Sequence, residues 1–257
     1  MKNRFINKRK KNYFNKKKFI FFFTIFFLSF IYLLFLDNSK FINSSKKYIE
    51  EYSLKFDYNL QSIEISGLSY LDRDEILNFF TPYKDKSIFL IPFKKISREI
   101  NSNKWVKDIR IKSNYKNSLQ IIIEEEIPFG IYDNGNQKLL FSSDLIILEI
   151  IQNKKKYLNL ITFYGKNSII MSKNFVLNFD NVFYEMIDSA IYIEKRRWNI
   201  LLKNGVILFL PEKEISEAIK YYKKIYANFS NKDLKEIKSI DLRLTKRATI
   251  KYKDLND

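Results

Sequence analysis

Hydrophobic and polar positions along the 257-residue chain fall into three regimes. The first is a continuous apolar run, FIFFFTIFFLSFIYLLFL at residues 19–36, with Thr24 and Ser29 as its small polar interruptions. As a helix it rises about 27 Å, close to the ~30 Å hydrocarbon core of a bilayer. It is apolar all the way round, unlike the one-sided stripe of a surface helix. The pattern predicts a transmembrane helix over 19–36. A cleaved signal peptide fits less well, because its apolar stretch is shorter and ends in a small-x-small site, which Leu36-Asp37-Asn38-Ser39 does not offer. Residues 37–59 then form a polar, partly helical juxtamembrane linker.

The second regime is regular. Gln61–Ser66 alternates polar and apolar as a half-buried strand does, and Gly67 breaks it. Asp72-Arg73-Asp74-Glu75 reads as a helix start, with Asp72 as cap and Glu75 at the capping-box position. Ile76, Phe79 and Phe80 give that helix its apolar face, and Pro82 helps stop it. A second helix starts near Pro92, with Phe93, Ile96 and Ile100 at helical spacing. Trp105 and Val106 open a strand, Asn114–Asn117 forms a turn, and Leu119, Ile121 and Ile123 lead the return strand into Glu124-Glu125-Glu126. The order β-α-α-β-β over residues 60–127 is a compact α+β unit.

The third regime, residues 128–257, is mainly β. Short runs such as Ile131-Tyr132, Leu139–Phe141 and Leu145–Ile151 are separated by turn residues. Ile200–Leu202 and Val206–Leu210 flank Asn204-Gly205 as a hairpin. Ile215, Ala218, Ile219, Tyr222, Ile225, Tyr226 and Phe229 mark an amphipathic helix. The final pattern is two alternating runs, Ile240-Leu242-Leu244 and Ala248-Ile250-Tyr252, joined at Lys246-Arg247. The fold class expected is α+β, with a single N-terminal transmembrane helix ahead of both units.

Charge sets the expected topology. Lys2, Arg4, Lys8, Arg9, Lys10, Lys11, Lys16, Lys17 and Lys18 precede the apolar run with no acidic residue among them. Cationic flanks stay inside, so residues 1–18 are expected in the cytoplasm and 37–257 outside, on a membrane-anchored chain. The net charge of +17 leaves only a modest basic excess beyond the run, spread among acidic residues, and enrichment in Lys, Asn, Ile, Phe and Tyr fits a codon bias. Nucleic-acid binding is not expected.

The composition also excludes chemistry. With no cysteine and no histidine, thiolate nucleophiles, thiolate metal sites, the usual zinc clusters and Ser-His-Asp triads are out. Five scattered glycines cannot build a phosphate loop. Glu124, Glu125 and Glu126 are adjacent on a strand, where neighbours face opposite sides, so they do not make the paired carboxylates of a glycosidase. They read as a solvated strand end, Trp105 and Trp198 as packing residues, and Arg196-Arg197 as a surface pair. No catalytic residue, cofactor, metal or small-molecule substrate is expected.

Several motifs, in order, carry a resemblance. Ile63-Glu-Ile-Ser-Gly67 is similar to a V-x-V-x-G opening, and Trp105-Val106 to a following W-V. Leu119–Pro128 is similar to L-x-I-x-V-x-E-R-x-P, with Glu126 where Arg is usual, and Gly130-Ile-Tyr132 stands where Ala-x-Trp is common. Arg197-Trp198-Asn-Ile-x-Leu202 with Asn204-Gly205 resembles R-W-x-L-x-L-x-N-G; Leu210-Pro211 and Ile240-Asp-Leu-Arg243 complete the series. Together they resemble the bacterial FtsQ/DivIB cell-division family. The segment from about 152 to 188 carries none of these motifs. The resemblance implies a POTRA domain over 60–127 and a β domain over 128–257. The absence of an extended tail leads us to expect a Gram-negative inner membrane and a periplasmic exterior, enriched at the division septum.

The resemblance further implies a non-enzymatic divisome scaffold that recruits FtsB and FtsL, linking early to late division proteins, among other divisome membrane proteins as partners. Family members bind FtsB at the last strand. The positions carried over are Leu244, Ala248, Thr249, Ile250, Lys251 and Tyr252. If that strand is an edge, its free N–H and C=O groups invite an added strand. The alternative is a POTRA-bearing translocation or export factor. Translocators of that kind carry a series of barrel strands, and no such series is visible here.

Overall fold

A computed structural model describes residues 16–35, 39–152, 154–244 and 246–253, without the side chains of 16–17, 33–35, 39–41 and 231–233. Two helices come first, α1 (Lys16–Phe35) and α2 (Ser39–Lys55). The apolar run is helical as expected as far as Phe35, but its expected transmembrane span is corrected: among the described residues no helix is long and apolar enough to cross a membrane. The physical reason is length. The helix is Lys16–Phe35 and opens on three lysines, and Leu36 lies outside the described residues, so the helix holds 17 residues of the expected 18-residue run, with Thr24 and Ser29 among them. Those 17 residues rise about 26 Å, short of a ~30 Å core. The membrane anchor, the cytoplasmic tail over 1–18, the inner-membrane localisation and the periplasmic exterior rested on that span and are withdrawn with it. Residues 1–15 of the tail lie outside the described residues.

The linker is more ordered than its polarity predicts. Helix α2 is docked at its C-terminal end, where buried Ser53 Oγ lies 2.7 Å from Ser87 Oγ and Glu50 Oε1 accepts from the Ser87 N–H at 3.1 Å.

The smaller sheet holds β1 (Ser62–Ser66), β2 (Val106–Ser113) and β3 (Ser118–Glu125), in the order β1-β3-β2. β1 runs parallel to β3, and β2 antiparallel to it. A parallel pair needs a crossover, which α3 (Arg73–Asn78) and α4 (Phe93–Asn101) supply. Asp72 caps α3, accepting from the Asp74 N–H at 3.0 Å. The core between helices and sheet is aliphatic: Ile76, Ile96, Ile100, Leu119, Ile121 and Ile123, with Phe80 beneath α3. Asn114 closes the β2–β3 turn, its side-chain oxygen accepting from the N–H groups of Lys116, Asn117 and Ser118.

The larger sheet has nine strands: β4 (Pro128–Asp133), β5 (Lys138–Ser142), β6 (Ile147–Ile151), β7 (Ile161–Tyr164), β8 (Ile187–Ile193), β9 (Arg197–Leu202), β10 (Ile207–Phe209), β11 (Ile237–Asp241) and β12 (Thr249–Tyr252). Their spatial order is β12-β11-β10-β9-β8-β7-β4-β5-β6. The hairpins expected around Asn204-Gly205 and Lys246-Arg247 are present as antiparallel pairs β9–β10 and β11–β12. Three pairs, β4–β7, β7–β8 and β10–β11, are parallel. Helices α5 (Ser168–Val176) and α6 (Asn181–Met186) make the β7–β8 crossover, and α7 (Ile215–Tyr226) and α8 (Asn231–Glu236) the β10–β11 crossover.

Helices α5, α6 and α8 were not expected from the pattern. In α5, Ile169-Ile170-Met171 and Phe175-Val176 are consecutive apolar residues with β-branching, so the 3.6-residue period is blurred. The core they cover is aromatic. Trp198 is buried and stacks on Phe175 at 4.2 Å, and Phe183 meets Tyr222 edge-on at 5.8 Å.

Gly67 is required by contact as well as by conformation. Its φ is +89°, and a Cβ there would stand 2.0 Å from the Ile123 carbonyl oxygen. Gly67→Ala is expected to cost at least ~2 kcal/mol, because strained backbone and a clash against the β3 backbone add. A denaturant titration of the full chain followed by fluorescence measures this; an unchanged midpoint would mean that β3 can move away.

Candidate functional site

The six positions expected to bind a partner lie at one end of the larger sheet. β12 is its terminal strand, paired on one side only, to β11. Lys253 N–H donates to the Glu236 carbonyl at 2.7 Å. Backbone groups alternate along a strand, so the N–H groups of Lys251 and Thr249 also face β11, while those of Tyr252 and Ile250 face outward.

The side chains divide differently. Ala248 and Ile250 pack against the aromatic core, so they hold the strand down rather than display a reading face. Thr249 and Lys251 are exposed. Tyr252 is 50% exposed, opposite Ile237 of β11. Leu244 is 64% exposed, within the β11–β12 connection. Of these, Tyr252 lies on the strand itself and Leu244 in the connection that precedes it.

Next to Leu244 is a groove of about 630 Å³ between α7 and the β11–β12 connection. Ala218, Tyr221, Leu242 and Leu244 contribute its apolar surface, and Lys213, Lys220, Lys223, Lys224 and Lys246 its cations. Lys220 pairs with Glu217 at 2.7 Å, and Lys223 with Asp180. These lysines were missed in the sequence, although Lys220 and Lys224 stand four apart on one helix face, the spacing that gathers charge.

Two ion pairs fix the elements around the groove. Asp180 caps α6 by accepting from the Phe183 N–H at 2.9 Å and reaches Lys223 of α7. Lys223 first, and the Phe183 N–H second, hold its carboxyl below the usual carboxylate range. Asp241 at the end of β11 is held low by Arg243, and Arg243 lies over the Phe209 ring at 5.8 Å. Among the described residues no group of three or more carboxylates is placed to hold a metal ion.

The three glutamates at the end of β3 are not the solvated strand end expected. Glu124 pairs with Lys107 at 3.3 Å. Glu125 accepts from three successive N–H groups, those of Ser69, Tyr70 and Leu71, at 2.8–2.9 Å. Glu126 is 2% exposed, and its Oε2 has no partner among the described residues. Their partners lie more than 50 residues upstream or across the sheet, where no local pattern reveals them.

Comparison with known proteins gives a consistent picture. Residues 58–126 match the family model "POTRA domain, FtsQ-type", and residues 131–243 match "Cell division protein FtsQ/DivIB, C-terminal". The chain is similar to a cell division protein FtsQ of Rickettsia felis, 29% identical over 198 residues, covering 76% of this chain and 73% of the relative. It is similar to that of Rickettsia conorii at 28% over the same shares. It is also similar to that of Rhizobium meliloti, at 23% over 75% of this chain and 62% of the relative.

Asp180→Ala removes both the α6 cap and the tie to α7, so it is expected to lower the thermal midpoint by a few degrees. A carboxyl held low stabilises above its unfolded pKa and loses that contribution as pH falls through its folded value. The gap between wild type and Asp180→Ala is therefore expected at neutral pH and closes once the pH falls below the ordinary 3.8 and through the lowered value. Thermal unfolding across that range checks both.

Proposed function

We propose, from the premise that this chain belongs to the FtsQ/DivIB family of cell-division proteins, that it recruits FtsB and FtsL into the division machinery by offering β12 as the template for an added strand. Its coarser role is in cell division, as a non-enzymatic scaffold. Its sequence has neither the histidine nor the cysteine on which most hydrolytic chemistry depends.

The observation that carries the reading is the one-sided pairing of β12. A strand with a free edge binds a peptide backbone generically, and side chains beside it supply selection. Here the selecting groups are Tyr252 at the end of β12 and Leu244 in the connection before it, with Thr249 and Lys251 exposed on the strand. Ala248 and Ile250 act from below, keeping the strand flat on the core. The groove beside Leu244 lies where a segment flanking the added strand would run.

Aromatic residues dominate small interfaces, and truncating one often costs ~2 kcal/mol or more. Tyr252→Ala is therefore expected to weaken FtsB capture by the full chain about 30-fold, a ~2 kcal/mol loss. Ile250→Pro removes an outward N–H while leaving those of Thr249 and Lys251 on β11, and is expected to abolish capture. Circular dichroism of each variant establishes that the fold is kept. Wild-type affinity in either folded variant would overturn strand addition at β12.

A further inference from the structure

We infer that the two sheets form one rigid body, locked by an aromatic pin at Trp105 that Glu125 holds in place. Two units joined by a strand-to-strand linker ordinarily move relative to each other unless a substantial apolar contact stops them. The join here is short. β3 ends at Glu125 and β4 begins at Pro128, leaving only Glu126 and Ile127 between. Both are tied by their backbones, one to each side. Glu126 N–H donates to the Trp105 carbonyl at 2.9 Å, and the Ile127 carbonyl accepts from the Ser143 N–H at 3.1 Å.

The pin crosses that join. Trp105 immediately precedes β2 of the smaller sheet, yet its ring packs against a cluster of the larger one, formed by Ile131, Leu140, Leu148, Ile151 and Tyr157. Its other contact is the Tyr70 ring, stacked at 5.0 Å with 30° between planes. Tyr70 sits on a loop, and a loop by itself would make a poor backstop. The Glu125 carboxylate removes that freedom by accepting from the N–H groups of Ser69, Tyr70 and Leu71. A carboxylate holding three amides makes charge-assisted bonds, about twice as strong as neutral ones. Constraint thus passes from the end of β3 to the loop, from Tyr70 to Trp105, and into the larger sheet.

A second tie lies off the pin. Lys107 Nζ stands 3.3 Å from Glu124 of the smaller sheet and 3.4 Å from Asp144, which follows β5 of the larger one. Glu124 first, and Asp144 next, raise the pKa of Lys107. The bridge is exposed and screened, so it orients the join and leaves the holding to the aromatic contact.

The absence of cysteine from the chain allows a direct test. Cysteines introduced at exposed Lys94 on α4 and Lys203 in the β9–β10 turn take spin labels on either side of the join. In the full chain, double electron–electron resonance is expected to give one narrow distance distribution. Trp105→Ala is expected to widen it at least twofold, and Glu125→Gln to widen it by less, since the amide keeps the shape and loses the charge. Unchanged helix and sheet content by circular dichroism separates loosening from unfolding. Should Trp105→Ala fail to fold, Trp105→Leu keeps apolar volume without the ring stack and is expected to widen the distribution as well. A broad distribution in the wild type, or an unchanged width in a folded Trp105 variant, overturns the inference.

Discussion

Backbone hydrogen bonding across an open sheet is the constraint from which the rest follows. Seven of the nine strands in the larger sheet lie between two neighbours, and the sheet must end somewhere on each side. A terminal strand keeps half its N–H and C=O groups unpaired, and proteins commonly blunt such edges with short length and charge. β12 has both, being four residues long with Lys251 exposed on it. Those features restrain indiscriminate pairing and leave the edge accessible to a partner that brings matching side chains.

An edge is useful only if it is held still. Only one hairpin secures β12 in sequence, so its rigidity has to come from below. Ala248 and Ile250 press onto an aromatic core in which Phe163, Phe175, Phe183, Trp198 and Tyr222 meet ring against ring. Such pairs contribute beyond their buried area because offset and edge-on geometries satisfy the ring quadrupoles. The same core anchors α7, and the Asp180–Lys223 pair fixes that helix to α6. Groove and edge therefore share one support.

The sequence was legible where a local rule decided the structure. The strand periods at Ser62–Ser66 and Ser118–Glu125, the turn glycine at Gly67, the Asp72 cap, the Asn204-Gly205 hairpin and the amphipathic α7 all follow from patterns within a few residues. Helix α5 was not legible because its buried and exposed apolar residues are adjacent, so tertiary packing on Trp198 decides it rather than period. The apolar run read correctly as helix as far as Phe35, but its reading as a membrane span did not hold among the described residues. At the candidate site, alternation of Ala248, Ile250 and Tyr252 was visible, but which face lay against the core was not, because that depends on α7 and the aromatic cluster above it. The roles of Glu125 and Trp105 were hidden for the same reason: each acts on residues distant in sequence.

Edge and join address one problem at two scales. A scaffold that only binds needs an exposed strand. A scaffold that arranges partners also needs that strand fixed relative to its other surfaces. β12 ends the larger sheet on the side opposite β6, while the Trp105 cluster lies under β4, β5 and β6. The smaller domain is thus joined near one edge of the sheet and the candidate partner strand forms the other, with the aromatic core spanning the strands between. Side chains in a close-packed interior transmit displacement rather than absorb it. The distance from Trp105 to β12 is then set by a continuous sheet, and the two domains present their surfaces in a single geometry.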